Sequence, residues 1–112
     1  MSSMEAAAME SGANYGEEFR PQREVKVIKK DGSLEAFNVQ KVIDAVGKSA
    51  YRALTKFTEE EKQHICQYVV DKVTELEQSE IPIPIMHNIV ESALENVKPI
   101  VAKSYRDYRN YK

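Results

Sequence analysis

The sequence predicts an α+β fold, mostly α: a short N-terminal β-hairpin packed on a four-helix bundle. Three observations carry this. A β-branched segment interleaved with lysines runs into Asp31-Gly32, the strongest short hairpin signal. Apolar residues then recur at helical spacing in successive stretches. Asn38, Thr58, Pro84 and Pro99 stand where those stretches begin, as cap or first-turn residues should. With 112 residues, 42% of them hydrophobic, the chain supports one domain and one modest core.

Taken in order, residues 1–23 read as a flexible acidic leader and residues 24–112 as the folded domain. The first 24 residues carry five glutamates against Arg20 and Arg23 and show no sustained apolar period. A short helix over Glu5–Ser11 would have little to pack against. Val25, Val27 and Ile28 then suggest a strand, with Val25, Val27 and Lys29 on one face. After the Asp31-Gly32 turn, Leu34–Phe37 returns as its partner. Such a ribbon is marginal alone and must lie on the helices.

Asn38 caps a first helix with Val39, Val42, Ile43 and Val46 inward, running to about Tyr51. Thr58 and Glu61 form a capping box for a second, with Ile65, Val69, Val73 and Leu76 on one face. Ile81-Pro82 breaks the pattern, and Pro84 fits the first turn of a third helix bearing Ile85, Ile89, Val90, Ala93 and Leu94. Lys98-Pro99 opens the last helix, with Ile100, Val101, Tyr105 and Tyr108 inward.

Composition narrows the functional classes. A net charge of −2 argues against a strongly cationic nucleic-acid binder. The series Tyr105, Tyr108 and Tyr111 with Lys103, Arg106 and Arg109 therefore reads first as a helix packing face and a candidate self-association surface. One cysteine excludes an intrachain disulfide and fits a reducing, cytoplasmic setting. No apolar run reaches membrane-spanning length, and the N-terminus lacks a secretory pattern. His64, His87 and Cys66 do not make a metal site: residues two apart on a helix share no face, and a fourth ligand is missing. Cys66 reads as buried packing rather than as a nucleophile. No glycine-rich phosphate loop and no magnesium-holding carboxylate pair point to an enzyme.

One constellation could bind a ligand: Lys29, Lys30, Glu35, Asn38 and Lys41. Cations beside a tight turn and at a helix start are the ingredients of an anion site. Lysines on an exposed ribbon also serve merely to block strand pairing, and that reading stands beside the first.

The run from Val27 through Lys29-Lys30-Asp31-Gly32, Glu35, Phe37-Asn38 and Lys41-Val42 resembles the opening of the ATP-cone domain. Ile83, Met86, Ile89, Val90 and Glu91 resemble its third-helix signature. Ala102, Tyr105, Tyr108 and Arg109 resemble its closing block. The resemblance implies a regulatory module of ribonucleotide reductases and of their transcriptional repressor, which binds ATP or dATP, here with Mg2+, and does no chemistry on them. It implies that Lys29, Lys30 and Lys41 hold phosphates, with Arg109 or Arg106 in place of a last-helix lysine. It implies that Glu35 and Asn38 contact adenine while Val27 and Phe37 line the base pocket. Some members use a hydroxyl before the third helix and a histidine in its first turn. Here Pro82 and Met86 are read into those places, so that wall is expected to be apolar.

The expected partners are an adenine nucleotide, ribonucleotide reductase or another ATP-cone protein, and a second copy in a nucleotide-dependent oligomer; neither nucleic acid nor membrane is expected. The competing function is a protein-interaction or oligomerisation module with a vestigial nucleotide site. With neither zinc-ribbon cysteines nor a reductase barrel in the sequence, the expectation is a free-standing cone or a piece of a longer protein. The leader is expected to be dispensable for binding.

Overall fold

The computed structural model describes residues 15–110, with side chains described through Asp107. Eight elements follow in order: α1 (Tyr15–Glu18), β1 (Lys26–Ile28), β2 (Leu34–Ala36), α2 (Val39–Arg52), α3 (Glu59–Leu76), β3 (Glu80–Pro82), α4 (Ile83–Val97) and α5 (Pro99–Asn110). The mostly helical α+β class is as the sequence predicts. The four long helices touch in a ring, α2 against α3, α3 against α4, α4 against α5 and α5 back against α2. No helix among the described residues is long and apolar enough to cross a membrane.

The sheet differs from the expected hairpin. It has three strands in the order β2-β1-β3, with β1 antiparallel to β2 and parallel to β3. The segment Ile81-Pro82 that reads as a break is therefore a strand. It is an edge strand, where a residue without an N–H is tolerated. Lys26 N–H donates to the Ser79 carbonyl at 2.8 Å to start the pairing. Register places Val27 between Glu35 on β2 and Ile81 on β3. Val27 and Ile81 are buried, so Glu35 shares their helix-facing row and is held half-buried.

At the hairpin, Gly32 N–H donates to the Lys29 carbonyl at 2.9 Å, with Gly32 at φ +88°, a conformation that favours glycine. The Asp31 carboxylate accepts from both the N–H and the hydroxyl of Ser33, which holds its pKa below the usual carboxylate range.

The caps are as expected. Asn38 Oδ1 accepts from Gln40 N–H at 2.8 Å to open α2. Thr58 and Glu61 exchange both capping-box bonds at the start of α3. Lys98 reaches back to the Glu61 carboxylate at 3.2 Å and ties the start of α5 to the start of α3.

Three helical stripes sit off the expected line. On α3 the buried set is Ile65, Cys66, Val69, Val70 and Val73, and Leu76 is exposed. On α4 it is Met86, Val90, Ala93 and Leu94, while Ile85 is exposed. On α5 Val101, Ala102 and Tyr105 are buried and Ile100 is 59% exposed. In each helix one large residue expected inward stands at the margin of the buried stripe and is exposed.

Residues 1–14 lie outside the description, and with them the considered Glu5–Ser11 helix. The rest of the expected flexible leader, from Tyr15, is docked. Tyr15 is 4% exposed and belongs to the core. Its hydroxyl donates to the Glu59 carboxylate at 2.7 Å, and its N–H donates to Gln40 Oε1 at 3.0 Å. Burial, then the neighbouring Glu59, push its phenol pKa well up. At the other end, the Arg23 guanidinium donates to the carbonyls of Val73 and Gln78, at 3.2 and 2.9 Å. Helix α3 ends at Glu77 in the left-handed region, without a glycine. Arg23 thus covers helix-end carbonyls that would otherwise lack partners. The segment from Tyr15 to Arg23 is a strap fastened at the two ends of α3.

Candidate functional site

A cleft of about 180 Å³ opens where the sheet, α2, α4 and α5 converge. Its sheet side is Val27, Glu35 and the Ala36–Asn38 corner. Helix α2 contributes Lys41, Val42 and Ala45, one turn apart. The opposite wall is Ile83, Met86, His87 and Val90 from α4, with Tyr105 from α5 at its base.

The folding logic of this site is local. β2 must place Glu35 inward because it pairs with Val27. The strand then ends, and Phe37 N–H donates to the Val25 carbonyl at 2.9 Å, which fixes the corner. Asn38 begins α2, so Lys41 stands one turn on and meets Glu35 in an ion pair. A carboxylate, a carboxamide and an ammonium thus ring one edge of an apolar slot.

Of the residues singled out from sequence, Val27, Glu35, Phe37, Asn38 and Lys41 all line this cleft. Lys29 and Lys30 are exposed on the hairpin end and do not line it. The side chain of Arg109 lies outside the described residues. Arg106, its alternative, is bound to α4 instead. Its Nε donates to Glu91 at 2.7 Å and its Nη2 to Glu95 at 3.3 Å, and the Glu91 contact holds its pKa above the usual guanidinium value.

The α4 wall departs from the expectation. Met86 is there, but His87 stands beside it in the cleft, so the wall is not apolar throughout. The His87 ring meets Tyr105 edge-on, with centroids 6.1 Å apart. Tyr105 is buried and faces the chain's own interior, so it offers no self-association surface, while the side chains of Tyr108 and Tyr111, expected with it on that face, lie outside the described residues. From the sequence the wall is assigned to Met86, and His87 is set aside as a metal ligand. The signal that finds it is the stripe Ile83, Met86, His87, Val90, spaced i, i+3, i+4, i+7. His64, by contrast, is exposed on α3, and Cys66 is buried, its thiol pushed up to about 12 by burial. The two are on different faces, as their spacing requires.

The family model for the ATP cone domain matches residues 25–112. The chain belongs to the ATP-cone family. ATP-cone domains are nucleotide-binding regulatory modules without catalysis of their own. The cleft lies wholly within the matched residues. The curated proteins searched contain no match to the chain.

The donor set suits the family's ligand. An apolar slot flanked by Glu35, Asn38 and His87 offers acceptors and donors to a base edge and ribose hydroxyls. Its volume lies below the 300–1,000 Å³ of ordinary small-molecule pockets, so any ligand larger than that extends beyond it. The exposed Lys29 and Lys30 stand on the same hairpin that supplies Val27 and Glu35.

Proposed function

We propose that this cone is a sensor of ATP or dATP that alters the activity or assembly of a partner in the cytoplasm. The observation that supports it is the convergence of Val27, Glu35, Phe37, Asn38 and Lys41 on one cleft. In this reading Val27, Phe37 and Met86 enclose the base, and Glu35 and Asn38 bond its edge. His87 lies along the ribose. Lys41 exchanges Glu35 for phosphate, which releases the carboxylate to accept from the base. Lys29 and Lys30 add charge from the hairpin, and Arg109 from the last helix. Magnesium, in this reading, arrives bound to the phosphates.

The regulatory mechanism is linkage: the nucleotide favours whichever packing of the cone binds it better. The partner is ribonucleotide reductase, another ATP-cone protein or a second copy. One 2′-hydroxyl separates the two ligands. A neutral hydrogen bond is worth about 1 kcal/mol, so ATP and dATP differ only modestly in affinity through that contact alone.

The test is calorimetric titration with ATP and with dATP in the presence of magnesium. Micromolar binding is expected, and Lys41→Ala weakens it about tenfold or more, as a lost charge-assisted contact should. A Lys41→Ala chain that binds as the wild type does overturns this assignment. Absence of binding at hundred-micromolar protein supports the other reading, an interaction module with a vestigial site. That reading draws on the Lys41–Glu35 pair, which already satisfies both charges.

A further inference from the structure

The Ala36–Phe37–Asn38 corner is a thin wall with a cleft on each side. One side is the nucleotide cleft. The other is an open cleft of about 840 Å³ bounded by the strap, with Gly16 and Phe19 facing the same three residues. At Gly16 the approach is extreme. A Cβ there would lie 2.2 Å from Asn38 Oδ1 and 2.9 Å from its Cγ. A side chain at position 16 would have to displace the Asn38 carboxamide, so the strap backbone rests directly on it. The strap is held in that place by Tyr15, through Glu59 and Gln40, and Gln40 is also the residue whose N–H the Asn38 side chain caps.

We propose that Gly16 and the strap around it position Asn38 for nucleotide, so that strap docking and nucleotide binding are one coupled equilibrium. The proposal rests on Asn38 meeting the base. Asn38 is exposed, and its carboxamide has few other constraints than the cap bond to Gln40 N–H and the strap behind it. The strap and the cap bond together fix the carboxamide at the rim that both clefts share, and a Cβ at position 16 would push it off that position. By reciprocity, whatever factor the docked strap adds to nucleotide affinity, nucleotide adds to strap docking. This assigns residues 15–23 a role in binding, against the expectation that everything before Glu24 is dispensable. It also gives the N-terminal side of the chain a way to read the site.

The experiment uses the full chain with Gly16→Ala, Asn38→Ala and the double variant, and Gly47→Ala as control. Gly47 has open space around its Cβ position. Titration with ATP and with GTP reads base discrimination, and hydrogen exchange reads the strap amides. Gly16→Ala is expected to weaken ATP about tenfold and to shrink the ATP-to-GTP ratio, without further loss in the Asn38→Ala background. ATP is expected to slow exchange over Tyr15–Phe19 in the wild type and not in Asn38→Ala. A general loss of folding would lower both nucleotides equally and would appear in a thermal melt. A Gly16→Ala chain that binds and discriminates as the wild type does overturns the coupling alone, as does ATP binding with no change in strap exchange. A wild-type chain that takes up neither nucleotide overturns the sensor reading as well.

Discussion

Helix α4 has two ends that face different surroundings. Its last turns carry Ala93 and Leu94, both sealed in the core. Its first turns carry Ile83, Met86 and His87 along an open cleft. The same helix therefore seals the core with its C-terminal half and borders a cleft with its N-terminal half. Closely packed interiors resent any lost atom, whereas a wall already bordering water has less to lose.

The sharpest way to break the comparison is Leu94→Ala against Met86→Ala. Leu94 is fully buried, so its truncation should cost about 2–5 kcal/mol, a large share of a small domain's stability. Chains that remain folded should bind nucleotide as before. Met86 is buried but stands at the cleft, so Met86→Ala should cost about 2–3 kcal/mol, the lower part of the range for such truncations, and in addition weaken ATP. Urea unfolding and calorimetry on the two variants separate these outcomes. Equal stability losses with equal binding losses would show that α4 acts as a single unit.

How much of this was legible in the sequence follows the same division. The features that depend on neighbouring residues were readable: the turn at Asp31-Gly32, the Asn38 cap and the Thr58–Glu61 box, whereas the register that sets Glu35 beside Val27 comes from a three-residue loop closed by Lys29 and Ser33. Those that depend on distant partners were not. β3 is three residues with a proline, too short to show alternation, and it exists because β1 offers it an edge. Tyr15 carries no periodic signal, and its burial needs Glu59 and Gln40 to receive it. Arg23 looks like one more charge until α3 ends beside it without a glycine. The cleft was half legible because its sheet side is one continuous stretch. Its α4 wall was missed at His87 because the larger Ile85 and Ile89 drew the stripe one position aside.

A second prediction sharpens the contrast between buried core and open cleft through pH. The Cys66 thiol is raised from 9.0 to about 12 by its burial. The folded chain therefore keeps a proton that the unfolded chain releases above pH 9. Stability is full below that value and falls as pH rises toward about 12, by up to about 1.4 kcal/mol per unit. Tyr15, raised above its ordinary 10.0, adds to the fall only from about pH 10 upward. Urea midpoints between pH 9 and 10 thus isolate Cys66. Cys66→Ala should flatten that interval while lowering stability at neutral pH. An unchanged slope would mean that water reaches the thiol and that this part of α3 opens readily.

The smallest expected effect tests where the last helix really faces. A reading by size alone puts Ile100 inward, but it is 59% exposed while Val101 and Ala102 are buried. Ile100→Ser should therefore move stability by no more than about 0.5 kcal/mol, as ordinary surface substitutions do. Val101→Ser places a hydroxyl in a fully buried setting and loses apolar volume, so it should cost several times as much. Adjacent positions that differ only in rotation by about 100° around the helix axis then report the packing face directly. If Ile100→Ser proves the costlier change, α5 is turned from the position that buries Tyr105 beside His87, and the floor of the cleft must be redrawn with it.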